Sequence, residues 1–272
     1  MNRVRIAVPH VAVAVFVLWI VYPLLGVLEL ATMPDGPLLT GVVLPTSFTV
    51  DTIVRAWQFA NLGTAVVNSA IVACAVTVGC VLLTTLAGFA FGRFKFRGSS
   101  VLFFVFLLGM VVPLEAYLVP LYFQLRTFGL LDTRAGLIVV LLAQSLPFGV
   151  FWMRAAFRNI PESLVEAATI DGAGSFAMLR FILVPLLRPA ITTLIVLTFV
   201  SSWNDFLLSL VVISSGDNAT APLALALFVG QHNTDVTGLA AGALIISIPV
   251  VLVYVVFQRR LIQGILAGAV KA

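Results

Sequence analysis

Ionisable side chains are scarce in this sequence, so the few that interrupt its apolar runs are the first candidates for chemistry. Of the 272 residues, 10% are charged and 61% are hydrophobic. Glu115 lies between Pro113 and Pro120, and Asp205 closes the cluster Trp203-Asn204-Asp205. An ionised carboxylate at membrane depth costs on the order of 3 kcal/mol unless it meets water or a partner. Each acid is therefore a candidate for lining a solute pathway.

Both candidates have a structural alternative. An aromatic ring beside carboxylate and amide groups often holds a sugar, so Trp203, Asn204 and Asp205 are compatible with a sugar pathway. Carboxyl and amide groups also join membrane helices to one another, and we favour this structural or gating role for the cluster. Glu115 follows a proline that can end a helix, which would leave its carboxylate near the outer interface.

Metal and thiol chemistry are not indicated. Cys74 and Cys80 lie in one apolar run without metal-ligand spacing, and we expect them to be small packing residues. His10 and His232 each stand alone. The phosphate-binding pattern G-x-x-x-x-G-K-[ST] is also missing from the sequence, so we expect this chain neither to hydrolyse ATP nor to hold a cofactor of its own.

The elements that must position these residues are membrane helices. Mean hydropathy is +1.17, and six apolar segments are long enough to cross a hydrocarbon core of about 30 Å. The first segment is too long for a signal peptide and lacks an A-x-A-like cleavage site, so we interpret it as a retained anchor. The predicted spans are residues 8–31, 64–91, 101–121, 135–157, 190–213 and 238–257.

Positive residues in the loops predict the orientation of these spans. If the N-terminus is inside, only Arg55, Arg126 and Arg134 of the 15 lysines and arginines lie outside. Both termini are then cytoplasmic, as is a polar loop at 159–189. The spans divide the chain into an N-terminal helix with its external loop, residues 1–63, and a helical core, residues 64–272. The basic residues form no single patch, so nucleic acid is not an expected partner.

The polar loop is expected to fold as two short helices joined by a turn. Pro161 suits the first turn of the first helix, with Asn159 as its cap, and this helix would run to about Thr169. Its adjacent alanines, Ala167 and Ala168, leave a shallow dent in which another protein's side chains could fit. The alternative is an ordinary polar loop.

The second half of the loop contains the turn and the second helix. Asp171 and Gly172 supply the turn, since glycine readily adopts positive φ. Ser175 would cap the second helix, residues 176–183, which Pro185 limits.

One spaced pattern covers this whole loop. Glu166-Ala167-Ala168, Gly172, Ile182 and Pro185 match E-A-A-x3-G-x9-I-x-L-P, with Val184 in place of leucine. The loop therefore resembles the EAA loop of ABC-importer permease subunits. The resemblance implies a coupling helix seated in a groove of a cytoplasmic ATPase. The residues that it assigns to ATPase coupling are Glu166, Ala167, Ala168, Asp171 and Gly172.

The C-terminal end carries a second resemblance. Residues 258–271 are similar to the ending Q-R-x-[FIL]-[IV]-x-G-[LI]-x-x-G-A-[VI]-K of carbohydrate-importer permeases of the maltose type. Trp203-Asn204-Asp205, Asn68-Ser69 and Ile248-Pro249 match that family too. The resemblance covers about residues 61–271 and implies an all-α, six-helix, type I ABC importer permease fold, a five-helix core preceded by one helix. It also implies a tail that approaches the ATPase dimer, formed by Gly268, Ala269, Val270 and Lys271.

These resemblances imply a permease subunit of an ATP-driven importer for a sugar or oligosaccharide, located in the cell (inner) membrane. Its implied partners are a second homologous permease, two cytoplasmic ATPase subunits that bind ATP and magnesium, and an extracytoplasmic binding protein. Glycerol phosphate is an alternative substrate. An ion-gradient-driven transporter would usually show an inverted repeat, and a membrane-embedded enzyme would need more polar groups at membrane depth, so we favour neither class.

Overall fold

The computed structural model describes residues 2–33, 49–230 and 234–269, and within these ranges it describes side chains from residue 10 to residue 258. The regular structure of the described chain is helical apart from one isolated antiparallel bridge, between Val229 and Thr234. The α-helices are α1 (Asn2–Thr32), α2 (Asp51–Phe59), α3 (Leu62–Arg93), α4 (Ser99–Val111), α5 (Leu114–Thr127), α6 (Arg134–Arg158), α7 (Glu162–Ile170), α8 (Ser175–Ala177), α9 (Val184–Leu186), α10 (Arg188–Trp203), α11 (Leu207–Val212), α12 (Ala221–Leu225) and α13 (Val236–Ala269).

Four of the described helices are long and apolar enough to cross a membrane unbroken. They are α3, α6 and the segments His10–Thr32 of α1 and Val236–Gln258 of α13. Two bent pairs raise the number to six if each pair is one span. These pairs are α4 with α5, bent by 99°, and Ser175–Leu186 with α10, bent by 77°.

The third predicted span, residues 101–121, is not a single helix, and its break at Pro113 confirms the expectation that this proline can end a helix. α4 ends at Val111, and Pro113 lies in extended conformation immediately before α5. Proline has no N–H to donate to the preceding turn and disfavours helical conformation in the residue before it, so the chain bends there. Pro120, by contrast, lies inside α5.

The fifth predicted span, residues 190–213, is also wrong as one helix. α10 ends at Trp203, and α11 begins at Leu207 after three non-helical residues. The break falls on Asn204 and Asp205, whose short polar side chains compete with the backbone for hydrogen bonds and favour helix ends.

One compact unit contains the described residues within Met1–Thr64 and Leu223–Ile248. Arg55 of α2 forms an ion pair with Asp235, with 3.0 Å between Nη1 and Oδ2. Asp235 Oδ1 also accepts the Gly238 N–H at 2.8 Å and thus caps the start of α13. This ion pair therefore joins α2 to the first turn of α13.

Helix α2 lies in a region that the sequence suggested was only a loop. The Thr49 hydroxyl accepts the Asp51 N–H at 3.1 Å, and Asp51 stands in the first turn, where a negative charge is favourable. Thr52 and Ala56 are its buried residues, so packing rather than propensity stabilises so short a helix. The rest of that predicted loop, residues 34–48, lies outside the described residues.

The other compact unit contains Ala65–Pro222 and the part of α13 that follows Ile248. Glycines on α3 bring it against α6. A Cβ at Gly88 would lie 2.5 Å from the Cβ of Met153, and one at Gly92 would lie 2.8 Å from the Cβ of Phe157. Because any side chain at these positions would force the helices apart, α3 and α6 form one closely packed pair.

Asp132, in the turn between α5 and α6, fastens a distant segment to this unit. Its Oδ1 accepts the backbone N–H groups of Ser214 at 3.1 Å and Ser215 at 2.9 Å. The Asn218 side chain donates to the Asp132 carbonyl at 2.7 Å. The backbone hydrogen bond from Ser215 contributes most to holding the pKa of the Asp132 carboxyl below its ordinary value, and the other hydrogen bonds act in the same direction.

Candidate functional site

The predicted helix, turn and helix between α6 and α10 are confirmed, but the predicted cap of the first helix is wrong. Pro161 occupies the N-cap position of α7, with ψ of 137° and no side-chain cap bond. Asn159 instead ends α6, because its N–H still bonds back to the Ala155 carbonyl at 3.2 Å. Pro161 has no N–H to continue the hydrogen bonds of α6, and its ψ is extended, so α7 starts as a separate helix.

The predicted turn at Asp171-Gly172 is confirmed. Gly172 has φ of +78°, in the left-handed region. Its N–H bonds to the Thr169 carbonyl at 3.0 Å, and the Ala173 N–H bonds to the Ala168 carbonyl at 3.0 Å. These two bonds make a Schellman motif, which ends a helix on a left-handed residue and satisfies its last carbonyls.

The second half of the loop differs from the prediction in two respects. The helical path runs through α8, a π-helical segment at Met178–Leu183 and α9. Ser175 is the first helical residue and Gly174 occupies the N-cap, so the predicted serine cap is wrong. Pro185 does not end the helix at residue 183 but lies inside α9. A proline there provides no N–H for the Phe181 carbonyl, and the wider π turn before it accommodates the lost bond.

The two predicted contact alanines have opposite environments. Ala168 is 4% exposed and belongs to a buried cluster with Phe157 of α6 and Leu183 of the π-helical segment. Ala167 is exposed, as are Glu166 and Asp171. The expected dent made by both alanines is therefore wrong: Ala168 anchors α7 to its own unit, and Ala167 alone faces outward.

Large apolar side chains on the loop were missed by sequence reasoning. Ile170 at the end of α7 is 86% exposed, and Phe176 of α8 is 69% exposed. Phe181 is 70% exposed. Within the described chain, all three side chains therefore keep most of their surface exposed. The available signal was a large apolar residue directly beside a polar one, as in Ile170-Asp171, Ser175-Phe176 and Arg180-Phe181.

Two arginines tie the loop and α6 to neighbouring helices. Arg93, the last residue of α3, donates to the Ile160 carbonyl at 2.7 Å, immediately before α7. Arg154 of α6 donates to the Phe91 carbonyl at 3.3 Å, and its guanidinium lies 3.8 Å from the centre of the Phe103 ring. Sequence reasoning used these arginines only as charges that set the topology.

The residues of the cluster Trp203-Asn204-Asp205 have three different surroundings. Trp203 is 1% exposed, and its ring stacks on Phe199 with 5.7 Å between centroids. Asn204 is exposed at the end of α10. Asp205 Oδ1 accepts the Ser209 N–H at 3.0 Å, in the first turn of α11. The cluster thus marks a helix break, and its pathway or gating role stays a prediction.

The remaining predicted site residues are Glu115 and the C-terminal tail. Glu115 is exposed in the first turn of α5, directly after the bend at Pro113. The backbone of Gly268 and Ala269 continues α13, whereas Val270 and Lys271 lie outside the described residues. Their proposed roles stay predictions.

In the part of the chain that the structure describes, no group of three or more His, Cys, Asp or Glu side chains could hold a metal ion. Cys80 is buried, where a Cβ at Gly149 would lie 3.1 Å from its Sγ, and Cys74 is exposed. His232 lies outside the described residues.

A cavity of about 400 Å³ lies among α4, α5 and α6. It lies where the α4–α5 pair bends by 99° and where α6 contains Pro147. Three polar side chains, those of Tyr117, Gln124 and Gln144, line it. The other lining residues are Gly109, Val112, Leu121, Leu125, Phe128, Leu130, Val139, Val140, Ala143 and Pro147.

Comparison with known proteins defines the class. Residues 81–266 match the family described as binding-protein-dependent transport system inner membrane component. The chain therefore belongs to this family: it is a permease subunit of an ABC transporter and a multi-pass protein of the inner membrane. The predicted membership of the ABC permeases is confirmed.

Individual relatives narrow the comparison. The chain is 33% identical over 264 residues, 95% of its length and 87% of the relative's, to the diacetylchitobiose uptake system permease protein NgcG of Streptomyces coelicolor. It is 34% identical over 251 residues, 92% of each chain, to the trehalose transport system permease protein SugB of Mycobacterium tuberculosis. A solved bacterial ABC transporter involved in the import of the acidic polysaccharide alginate matches 95% of this chain and 96% of its own with a TM-score of 0.81. That match is 23% identical in sequence and shows the fold.

Proposed function

We propose that this chain is a transmembrane permease subunit of an ATP-driven importer for a sugar or oligosaccharide, which an extracytoplasmic binding protein delivers. The observation that carries the proposal is family membership together with near full-length similarity to relatives named for diacetylchitobiose and trehalose transport. The same relatives weigh against glycerol phosphate as the substrate and against an ion-gradient-driven mechanism.

In the proposed topology the bent α4–α5 pair is one span and the fifth span begins with α10, so six spans leave both termini and residues 159–189 in the cytoplasm. The distribution of Lys and Arg supports this orientation. Residues 1–63 are then the N-terminal helix and external loop, and residues 64–272 are the permease core. A second permease of related sequence completes the pathway.

The proposed contact with the ATPase is made by α7 and the turn that follows it. Glu166, Ala167 and Asp171 are exposed there, and Gly172 gives the helix an abrupt end. Ile170 and Phe176 supply the apolar area that a protein interface needs at its centre. The tail at Gly268, Ala269, Val270 and Lys271 is a second proposed contact.

The proposed mechanism follows from how α7 is held. Ala168 lies in one buried cluster with Phe157 of α6, so a displacement of α7 by the closing ATPases is passed to that cluster rather than absorbed by the loop. Arg93 carries the same displacement to α3. The membrane helices then move between inward-open and outward-open arrangements as packed bodies. ATP and magnesium are bound by the ATPase subunits.

Reconstitution tests this function. The chain is purified with its second permease and ATPases, placed in vesicles with the binding protein outside, and supplied with radiolabelled neutral mono- and disaccharides. Uptake is expected only with ATP inside, and Gly172→Asp is expected to abolish it while the permease pair still assembles. Sugar uptake by this chain alone, driven by an ion gradient, would contradict the proposal.

A further inference from the structure

Helix α2 lies at the ends of three membrane helices. The Thr52 hydroxyl donates at 2.7 Å to the carbonyl of Met33, the residue that follows α1, and Arg55 is paired with Asp235 beside the start of α13. At its other end, Asn61 turns the chain with φ of +45°, and α3 begins at the next residue. Each of α1, α3 and α13 contains an unbroken membrane span. These contacts therefore hold α2 where the spans begin or end, at the surface of the bilayer.

Two sides of α2 have evident surroundings. The side that contains Thr52 and Ala56 is buried against the chain. A second side is polar: Asp51, Arg55 and Gln58 follow one another at intervals of four and three residues, which places them together on the helix. Asp51 and Gln58 are exposed, and Arg55 forms its ion pair from this side. The polar side suits water.

The third side of α2 is apolar and is left exposed by the described residues. Val50, Val54 and Trp57 are also spaced by four and three residues, so they form one row between the buried and the polar sides. Their exposed fractions are 68%, 50% and 47%. Phe59, on the opposite side, has a ring neighbour in Phe228, with 5.3 Å between the centroids. The apolar row thus needs a cover from outside the described chain.

The interface of a lipid bilayer fits such a helix. Helices that lie in this interface bury an apolar face about 5–10 Å into the boundary between headgroups and acyl chains and keep a polar face in water. Tryptophan is enriched at this depth, because its ring is apolar and its N–H is polar. A protein partner is a poorer fit, since one row of three side chains is small beside the roughly 800 Å² per partner that a stable interface buries.

We propose that α2 lies in the plane of the membrane surface and contacts phospholipid through Val50, Val54 and Trp57. The bonds of Thr52 to Met33 and of Arg55 to Asp235 connect this lipid contact to the ends of α1 and α13. The contact therefore helps to set the depth of these spans in the bilayer. The inference goes beyond the proposed function, because it depends on the membrane location of the chain and not on its solute.

Accessibility of spin labels tests the proposal. The complete importer is placed in nanodiscs of phosphatidylethanolamine and phosphatidylglycerol, with its native thiols removed by Cys74→Ser and Cys80→Ala. Single labels are introduced through Val54→Cys and, as the matched control on the same helix, Gln58→Cys. Molecular oxygen concentrates in lipid, whereas nickel ethylenediaminediacetate stays in water. The ratio of oxygen collisions to nickel collisions is expected to be several-fold higher at position 54 than at position 58.

The same measurement separates lipid from the other possible covers. Equal ratios at positions 54 and 58, with nickel collisions frequent at both, would place the apolar row in water and overturn the proposal. Rare collisions with both reagents at position 54 would show that protein covers the row, and this result also overturns it. Neither measurement uses sugar uptake, so such a failure leaves the proposed function standing.

Tryptophan fluorescence provides a second test that needs no label. The emission of Trp57 is isolated as the difference between the wild-type importer and the Trp57→Phe variant, which keeps an aromatic ring at this position. Phospholipids brominated near the headgroup end of their acyl chains are expected to quench this difference. If the emission of Trp57 is the same in brominated and unbrominated nanodiscs, α2 does not contact lipid and the proposal is wrong, whether or not the cysteine variants assemble.

Discussion

Replacing Gly172 tests whether the shape of the turn after α7 matters for ATPase coupling. The residue has φ of +78°, and a Cβ built on it would meet nothing within 4 Å. An alanine there is therefore disfavoured by its backbone conformation alone, by about 1–2 kcal/mol. We expect Gly172→Ala to weaken ATPase binding by up to about 5- to 30-fold, because the equilibrium constant between the native turn and other conformations falls by that factor.

Gly174→Ala is the matched control. Gly174 also has open space around it, but its φ is −65°, which alanine adopts without strain. The assay titrates labelled ATPase onto the permease pair in nanodiscs and compares the Kd of the two alanine variants. Gly172→Asn should be intermediate, since asparagine tolerates left-handed conformation better than alanine does. Equal Kd values for Gly172→Ala and Gly174→Ala would refute the reasoning, because the backbone conformation of the two glycines is what distinguishes them.

Three further changes test the anchorage of the loop and the packing of the unit. Arg93→Met removes the donor to the Ile160 carbonyl, so sugar imported per ATP hydrolysed should fall while ATPase binding is kept. Gly88→Leu collides with Met153 and should lower the melting temperature by several degrees, whereas Gly26→Leu, with nothing within 4 Å, should not. Because the pKa of Asp132 is lowered by its bonds to Ser215, the stability that it contributes is present above the ordinary value of 3.8 and lost as the pH falls through the lowered one. Asp132→Asn should abolish this acid dependence of the melting temperature; an unchanged profile would contradict it.

Features that depend on neighbouring residues could be predicted from the sequence. The Gly172 turn is such a case, because a helix stop needs only a glycine in the left-handed region and two bonds to the last turn. Long apolar runs such as α3 are another. Caps were less certain: Asn159 and Ser175 have the right chemistry, yet the helices begin after Pro161, which has an extended ψ, and after Gly174.

Features that depend on distant pairs could not be predicted. Asp132 and Ser214 are 82 residues apart in the chain, and nothing local marks them as partners. The cavity has the same origin, since Gln124 and Gln144 become neighbours only because the chain turns between α5 and α6.

The opposite surroundings of Ala167 and Ala168 explain why a small residue is needed at each position for a different reason. Ala167 is exposed, so its small side chain lets the side chains of another protein approach α7 closely. Ala168 is buried in the cluster that contains Phe157 and Leu183, so its small size sets how closely α7 can pack on this cluster. A larger residue at 168 would push α7 away from the cluster and weaken the packing that is proposed to carry its displacement, even if every outward-facing residue were kept. We therefore expect the proposed coupling to depend on the inner face of α7 as much as on the face that a partner would touch.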